Sequence, residues 1–279
     1  MSRYRIDTHL HTTFSPDSDA EPDVMLNAAG AEKMSYICFT DHIDYDFPDP
    51  EVDMVFDFEP ERYFEKMREI RKKAAAMGIS AGIGVEMGFL PREEVLNKIN
   101  RTVSTYPFDY CIASVHVVFD RDPYYRTVWK QYSPKEIYTK YFEDTLFGVR
   151  NLREFDALGH LDYICRYEKA NCGTMTYRSR DYEDIIEEIL RTLVERDKAL
   201  ECNFAGLARG LDLTNPGREV FLRYRELGGE KITIGSDAHM PKGIGKDAYL
   251  RAVQMLAEEC GFRYAAYFAG RKAQMIPIA

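Results

Sequence analysis

Residues 231–239 read Lys231-Ile232-Thr233-Ile234-Gly235-Ser236-Asp237-Ala238-His239. The first five form an apolar, strand-like run. Just past it stand a carboxylate and an imidazole two residues apart, and on extended chain such residues face the same side. The pattern recurs along the chain. His9 follows a predicted strand at 4–7, His42 one at 36–40 and His116 one at 110–115. Glu86 closes a run at 80–86, His160 one at 157–160 and Asn203 one at 199–203. Seven strands, each with a polar residue at or just past its C-terminal end, alternate with helical patterns. Such alternation predicts a parallel α/β fold, either an open sheet or a closed barrel. An open sheet would spread the seven strand ends along a wide edge, whereas a β/α barrel gathers them at one mouth. The expected fold is therefore a seven-stranded (β/α)7 barrel, TIM-barrel-like, with its functional residues gathered at the C-terminal mouth of its strands.

Between the runs the helix signals are clear. Tyr63, Met67, Ile70, Ala74 and Met77 form a helical stripe that Gly78 stops. Ser133-Pro134-Lys135-Glu136 reads as a capping box with proline at the first helical position, opening a helix with Ile137, Tyr141 and Leu152 on its apolar side. Ile185, Ile186, Ile189, Leu190, Leu193 and Val194 stripe another, and Asn215-Pro216 is expected to open a third that Gly228-Gly229 closes. With no repeats or linker-like stretches, residues 1–279 are expected to form a single domain.

The 279 residues carry a formal net charge of −9. That argues against a nucleic-acid partner, which wants a basic face, although bound metals can supply positive charge locally. The six cysteines form no CxxC pair, and Cys38, Cys111 and Cys202 lie within apolar strands; reduced, buried thiols are expected. The N-terminus leads straight into a strand, with neither a signal peptide nor a spanning segment in view. A cytoplasmic location, without membrane association, is the expectation, and the assembly is expected to be a monomer or homodimer.

All six histidines fall in these strand-end clusters, and none is spare. Neutral imidazole is the commonest metal ligand. His9 and His11 share one face of an extended segment, and Asp237 and His239 repeat the arrangement at the far end of the chain. Glu86 ends the apolar run Ile83-Gly84-Val85, where an unpaired carboxylate would be costly to bury. One multinuclear metal site explains all of them together. Mixed nitrogen and oxygen ligands suit zinc, manganese or iron better than calcium or magnesium.

The motifs Asp7-Thr8-His9-Leu10-His11, Thr40-Asp41-His42, Gly84-Val85-Glu86, Ser114-Val115-His116, Gly159-His160-Leu161-Asp162 and Gly235-Ser236-Asp237-Ala238-His239 stand in fixed order. In this the chain resembles the PHP (polymerase and histidinol phosphatase) family over nearly its whole length. The segment Glu201–Leu207 and the ending from Arg271-Lys272 to Pro277-Ile278 look most like the stand-alone histidinol-phosphatase branch. The resemblance implies a distorted seven-stranded (β/α)7 barrel with a trinuclear metal site at the C-terminal mouth of its strands. One ion would take His9, His11, Glu86 and Asp237, and a second would share Glu86 and take His116 and His160. A third would take His42, His239 and a residue of the loop after the first motif. Some relatives have histidine there; this chain has Asp17, with Asp19 nearby. Two to three divalent transition metals are therefore expected.

The expected activity is that of a metal-dependent phosphomonoesterase. Hydroxide activated between ions roughly 3.5–4 Å apart would attack phosphorus, most plausibly that of L-histidinol phosphate in histidine biosynthesis. The leaving alkoxide needs a proton from a metal-bound water, Asp237 or His239. Arg209 is the first candidate to grip the phosphate, followed by Arg166 and Lys169. The acidic stretch 41–60 has no lysine or arginine. As a loop over the mouth it could meet the substrate's cationic amine through Asp44, Asp46 or Asp57, while Tyr45, Phe47, Phe56 and Phe58 pack on an imidazole or anchor the loop. Competing readings are a nuclease or nucleotide phosphoesterase, or a phosphotyrosine phosphatase, on the same metal core, and a non-catalytic metal-binding module.

Overall fold

The structure, a computed structural model, describes residues 4–278. Eight parallel strands make its main sheet: β1 (Ile6–Leu10), β2 (Tyr36–Phe39), β3 (His42–Ile43), β4 (Ser80–Gly88), β5 (Tyr110–Ser114), β6 (Ala157–Leu158), β7 (Ala199–Asn203) and β8 (Ile232–Gly235). Seven follow the order β1-β2-β4-β5-β6-β7-β8, and the short β3 pairs with β4 just beyond β2. Past the end of β8, Asp237 donates its N–H to the His9 carbonyl at 2.9 Å, and His11 donates to that of Ala238 at 3.0 Å. These bonds bring the two outer strands together, so the sheet is a nearly closed barrel of seven parallel strands. The interior is packed, as in other β/α barrels. Tyr110 on β5 meets Thr233 on β8, oxygen to oxygen at 3.0 Å, although the two strands are not neighbours in the sheet.

Helices α1 (Pro22–Ala31), α2 (Pro60–Ala76), α3 (Glu93–Thr105), α4 (Arg126–Gln131), α5 (Pro134–Asn151), α6 (Cys165–Cys172), α7 (Glu183–Glu195), α8 (Ala205–Ala208), α9 (Arg218–Glu226) and α10 (Lys246–Gln254) lie between or after the strands. The stripe expected on α2 is buried at Tyr63, Met67, Ile70 and Ala74, while Met77 caps the helix and is exposed. The capping box of α5 forms in full: Glu136 N–H binds the Ser133 hydroxyl, and the Glu136 carboxylate takes the Ser133 N–H.

Two expectations need correction, and one element was not foreseen. β1 continues to Leu10, so His9 lies within the strand rather than past it, and β6 stops at Leu158, before His160. Asn215-Pro216 does not open α9, which begins at Arg218. Asn215 instead exchanges two backbone hydrogen bonds with Asn203, each 2.9 Å, which hold it extended against the end of β7. Finally, residues 264–277 form an antiparallel hairpin, β9 (Tyr264–Ala269) with β10 (Lys272–Pro277). Its turn places Gly270 and Arg271 at φ +54° and +64°, the left-handed pair that a two-residue hairpin requires. The hairpin packs at the end of the barrel opposite the strand C-termini. Phe268 stacks on Tyr110 at 5.1 Å, and its carbonyl accepts from the Tyr36 hydroxyl at 2.8 Å.

Candidate metal centre

The barrel register places the histidines around Glu86. His42 on β3 is the direct register partner of Glu86 on β4. The β1–β8 closure sets the His9-x-His11 and Asp237-x-His239 pairs side by side. Glu86 Oε2 then lies 3.1 Å from His9 Nε2, 3.4 Å from His11 Nε2 and 3.1 Å from His42 Nδ1. Its other oxygen lies 3.1 Å from His116 Nε2 and 2.7 Å from His160 Nε2. Asp237 Oδ1 is 3.5 Å from His11 Nε2 and 3.9 Å from His9 Nε2. Asp17 Oδ2 approaches His239 Nε2 to 3.1 Å and His42 Nε2 to 3.7 Å. All nine residues named as ligands from the sequence therefore converge, Asp17 among them. Asp19 is exposed beside it.

Three groups within this cluster have ligand atoms mutually within 4.8 Å: His9, His11 and Asp237; His11, His42 and His239; His42, Glu86 and His116. His9 Nε2, His11 Nε2, His42 Nδ1 and Glu86 Oε2 are buried without a hydrogen-bond partner. Leaving such atoms unsatisfied costs about 1–3 kcal/mol each, and four facing one another mark a place for a cation. Donor atoms about 2.1 Å from one ion lie roughly 3.0–3.4 Å from each other, close to the spacing around Glu86 Oε2. The residues thus fit divalent metal.

The far side of each imidazole explains its orientation. His9 Nδ1 is 2.6 Å from Glu201 Oε1, and His116 Nδ1 is 2.6 Å from Asp44 Oδ2. Each Nδ1 carries the proton for that bond, so Nε2 presents its lone pair to the cluster. His11 Nδ1 meets the Ser15 hydroxyl at 3.0 Å, while that hydroxyl donates its one proton to Asp41 at 2.7 Å. Ser15 must therefore accept from His11, which fixes the same tautomer. Electrostatics agrees: burial, then His239 and His42, push His11 well below the ordinary imidazole range, so it stays a neutral ligand. Without metal, Glu201 and Glu86 at His9, and Asp44 and Glu86 at His116, overcome burial and raise both imidazoles well above their ordinary range. Protonated in this way they, with His42, hold Glu86 well below the usual carboxylate range against its burial, and a bound cation would take the place of those protons. Asp237 adopts a left-handed backbone at φ +55°, which short polar residues tolerate and which collects at functional sites.

The cluster opens into a cavity of about 590 Å³. Arg209 lines it and, among the described residues, makes no ion pair or side-chain hydrogen bond. Arg166 also lines it, but its guanidinium is committed: 2.6 Å to Asn215 Oδ1, 2.7 Å to Asn203 Oδ1 and 3.2 Å to Asp237 Oδ2. Lys169 lies exposed on α6, off the cavity wall. The acidic stretch covers one side of the mouth, where Asp44 lines the cavity together with the apolar Phe47, Val52, Met54 and Phe56. Phe47 packs on Phe56 at 4.9 Å, Phe58 on Tyr63 at 4.4 Å, and Tyr45 bonds Thr102, so most of its aromatics anchor the loop. Asp46 is exposed and paired with Lys98, Asp57 is exposed off the cavity, and Asp44 orients His116.

Sequence reasoning missed Glu201 as a partner of His9. Its signal was the one that revealed Glu86, a carboxylate inside an apolar strand. Asp44 lines the cavity and also orients His116, a second contact that loop spacing does not show.

A nearly closed parallel barrel with imidazoles and carboxylates packed at its C-terminal mouth defines a class, the metal-binding β/α barrels. The PHP domain pattern matches residues 7–205, and the chain belongs to that family. It is 33% identical over 277 residues to the histidinol-phosphatase of Lactococcus lactis, covering 96% of each chain. It is also 34% identical over 257 residues to the probable histidinol-phosphatase of Clostridium acetobutylicum, covering 92% of this chain and 94% of that one. A crystal structure of the Lactococcus lactis histidinol phosphate phosphatase, complexed with zinc, L-histidinol and phosphate, matches with a TM-score of 0.83. It covers 97% of this chain and 98% of that one at 29% identity.

Proposed function

We propose that this chain is a metal-dependent phosphomonoesterase that hydrolyses L-histidinol phosphate to L-histidinol and phosphate, in the cytoplasm, as a step of histidine biosynthesis. Residues 1–279 act as one catalytic domain. The observation that carries the reading is the set of unpartnered buried ligand atoms around Glu86, opening into a cavity lined by an uncommitted arginine. The relatives' shared name and the zinc, histidinol and phosphate of the Lactococcus structure support it.

Two or three divalent ions, zinc, manganese or iron, would be held by His9, His11, Asp17, His42, Glu86, His116, His160, Asp237 and His239. Bound there, they supply a nucleophile at neutral pH and neutralise charge on the phosphoryl group. Arg209 binds the phosphoryl oxygens through charge-assisted hydrogen bonds. Arg166, committed to Asp237, Asn203 and Asn215, acts as a positioning residue that keeps the Asp237 carboxylate facing the cluster. The bond between phosphorus and the alcohol oxygen breaks as the water oxygen bonds to phosphorus, and the proton that water gives up is relayed to the alkoxide by a further water, Asp237 or His239.

The test is turnover of histidinol phosphate, p-nitrophenyl phosphate and a 3′-labelled oligonucleotide, with manganese or zinc and with chelator. Expected is chelator-sensitive turnover of the two small esters, with histidinol phosphate preferred, and none of the oligonucleotide. No metal-dependent turnover of any of them overturns the reading.

A further inference from the structure

The cavity wall carries a carboxylate that the metal centre does not use. Asp122, between β5 and α4, lines the cavity beside Tyr124, Tyr125, Tyr163 and Tyr167. Its Oδ1 accepts the Tyr124 N–H at 2.8 Å, an Asx turn, and its own N–H donates to Asp49 Oδ2 at 2.8 Å. These bonds fix the loop and occupy one carboxylate oxygen. Among the described residues no lysine, arginine or histidine nitrogen lies within 4.0 Å of the carboxylate. The adjacent Arg121 is committed to Asp49 at 3.0 Å. Burial pushes the Asp122 carboxyl up to about 6; the Tyr124 N–H and His116 oppose the rise, and Asp49 and Asp44 add to it. An anion so placed is costly until a cation joins it.

The surroundings suit a ligand that is both cationic and aromatic. Tyr167 makes edge contacts with Tyr124 and Tyr163 at 5.6 and 5.7 Å, which presents ring faces and edges to the cavity. Tyr167 also lies within electrostatic reach of both Arg209 and Asp122. The groups suited to phosphate and to a cation therefore share one neighbourhood.

We propose that Asp122 is a specificity-determining residue, whose free carboxylate oxygen receives the cationic group of the substrate's alcohol half against the tyrosine wall. This rests on the phosphomonoesterase reading above. It assigns to Asp122 the role that the sequence offered to Asp44, Asp46 and Asp57.

Asp122→Asn tests it, because an asparagine oxygen can still accept the Tyr124 N–H while the charge is gone. The metal-loaded wild type and variant are assayed on three esters. These are histidinol phosphate, its deamino analogue 3-(imidazol-4-yl)propyl phosphate, and p-nitrophenyl phosphate, whose leaving group has no cation. Losing a charged contact should raise KM for histidinol phosphate about tenfold or more with kcat little changed, and leave p-nitrophenyl phosphate unaffected. If the deamino analogue escapes the penalty, the ammonium is the group received; if it suffers equally, the imidazolium is. Unchanged KM, or equal loss on histidinol phosphate and p-nitrophenyl phosphate, overturns the role of Asp122. Wild-type protein that turns over none of the three esters overturns the phosphomonoesterase reading instead.

Discussion

Glu86 is fully buried, and both its oxygens are shared among five imidazoles. What lets it sit there is a ring of partners behind the histidines. Glu201 is the most consequential, since it accepts from His9 Nδ1 and from the His160 N–H at 2.8 Å, tying ligands of two expected ions. Gly235 permits that packing, because a Cβ there would collide with Glu201 and His9. Glu201→Gln should lower metal affinity about 10–100-fold. Equilibrium dialysis with metal analysis would check this, with the far-UV circular dichroism unchanged. Affinity equal to wild type would mean that Glu201 does not orient His9. At this scale the candidate ligands were legible in the sequence, because all but Asp17, which the family resemblance supplied, are polar residues at or near an apolar strand end. The orienting groups were not, because their partners lie as far as 192 positions away along the chain.

The elements divide in the same way. Helices α2, α5 and α7 follow from periodicity and caps that are local in the sequence. The Ser133–Glu136 box is a self-contained device of this kind. Ser133→Ala should cost about 1 kcal/mol, read as a lower midpoint in denaturant, with metal content and turnover unchanged. What escaped was set by pairing rather than propensity. The two-residue β3 exists because it lies against β4, and α9 starts late because Asn215 is held by Asn203. The β9–β10 turn is Gly270-Arg271 rather than a strong Asn-Gly signal, so nothing local announced the hairpin.

For the molecule as a whole, the sequence carried the barrel, because seven strand ends bearing ligands must meet. It carried no hint of how the opposite end is closed. There the Arg271 side chain pairs with Asp156, whose same oxygen accepts the Cys111 N–H at 2.8 Å, and Gly270 donates to Asp109 at 2.9 Å. With a packed interior and that hairpin beneath it, the cavity of the described residues opens at the C-terminal mouth of the strands. The ester enters and both products depart by the same route, so they leave in order of depth. Metal ions held around Glu86, at 0% exposure, would bind the phosphoryl group at the bottom of the cavity, whereas Tyr124 by Asp122 is 62% exposed at its rim. The alcohol must clear the passage before phosphate can follow. Inorganic phosphate should therefore inhibit competitively with substrate and the alcohol non-competitively, a pattern that steady-state product inhibition reads directly; the reverse pattern would mean that phosphate departs first.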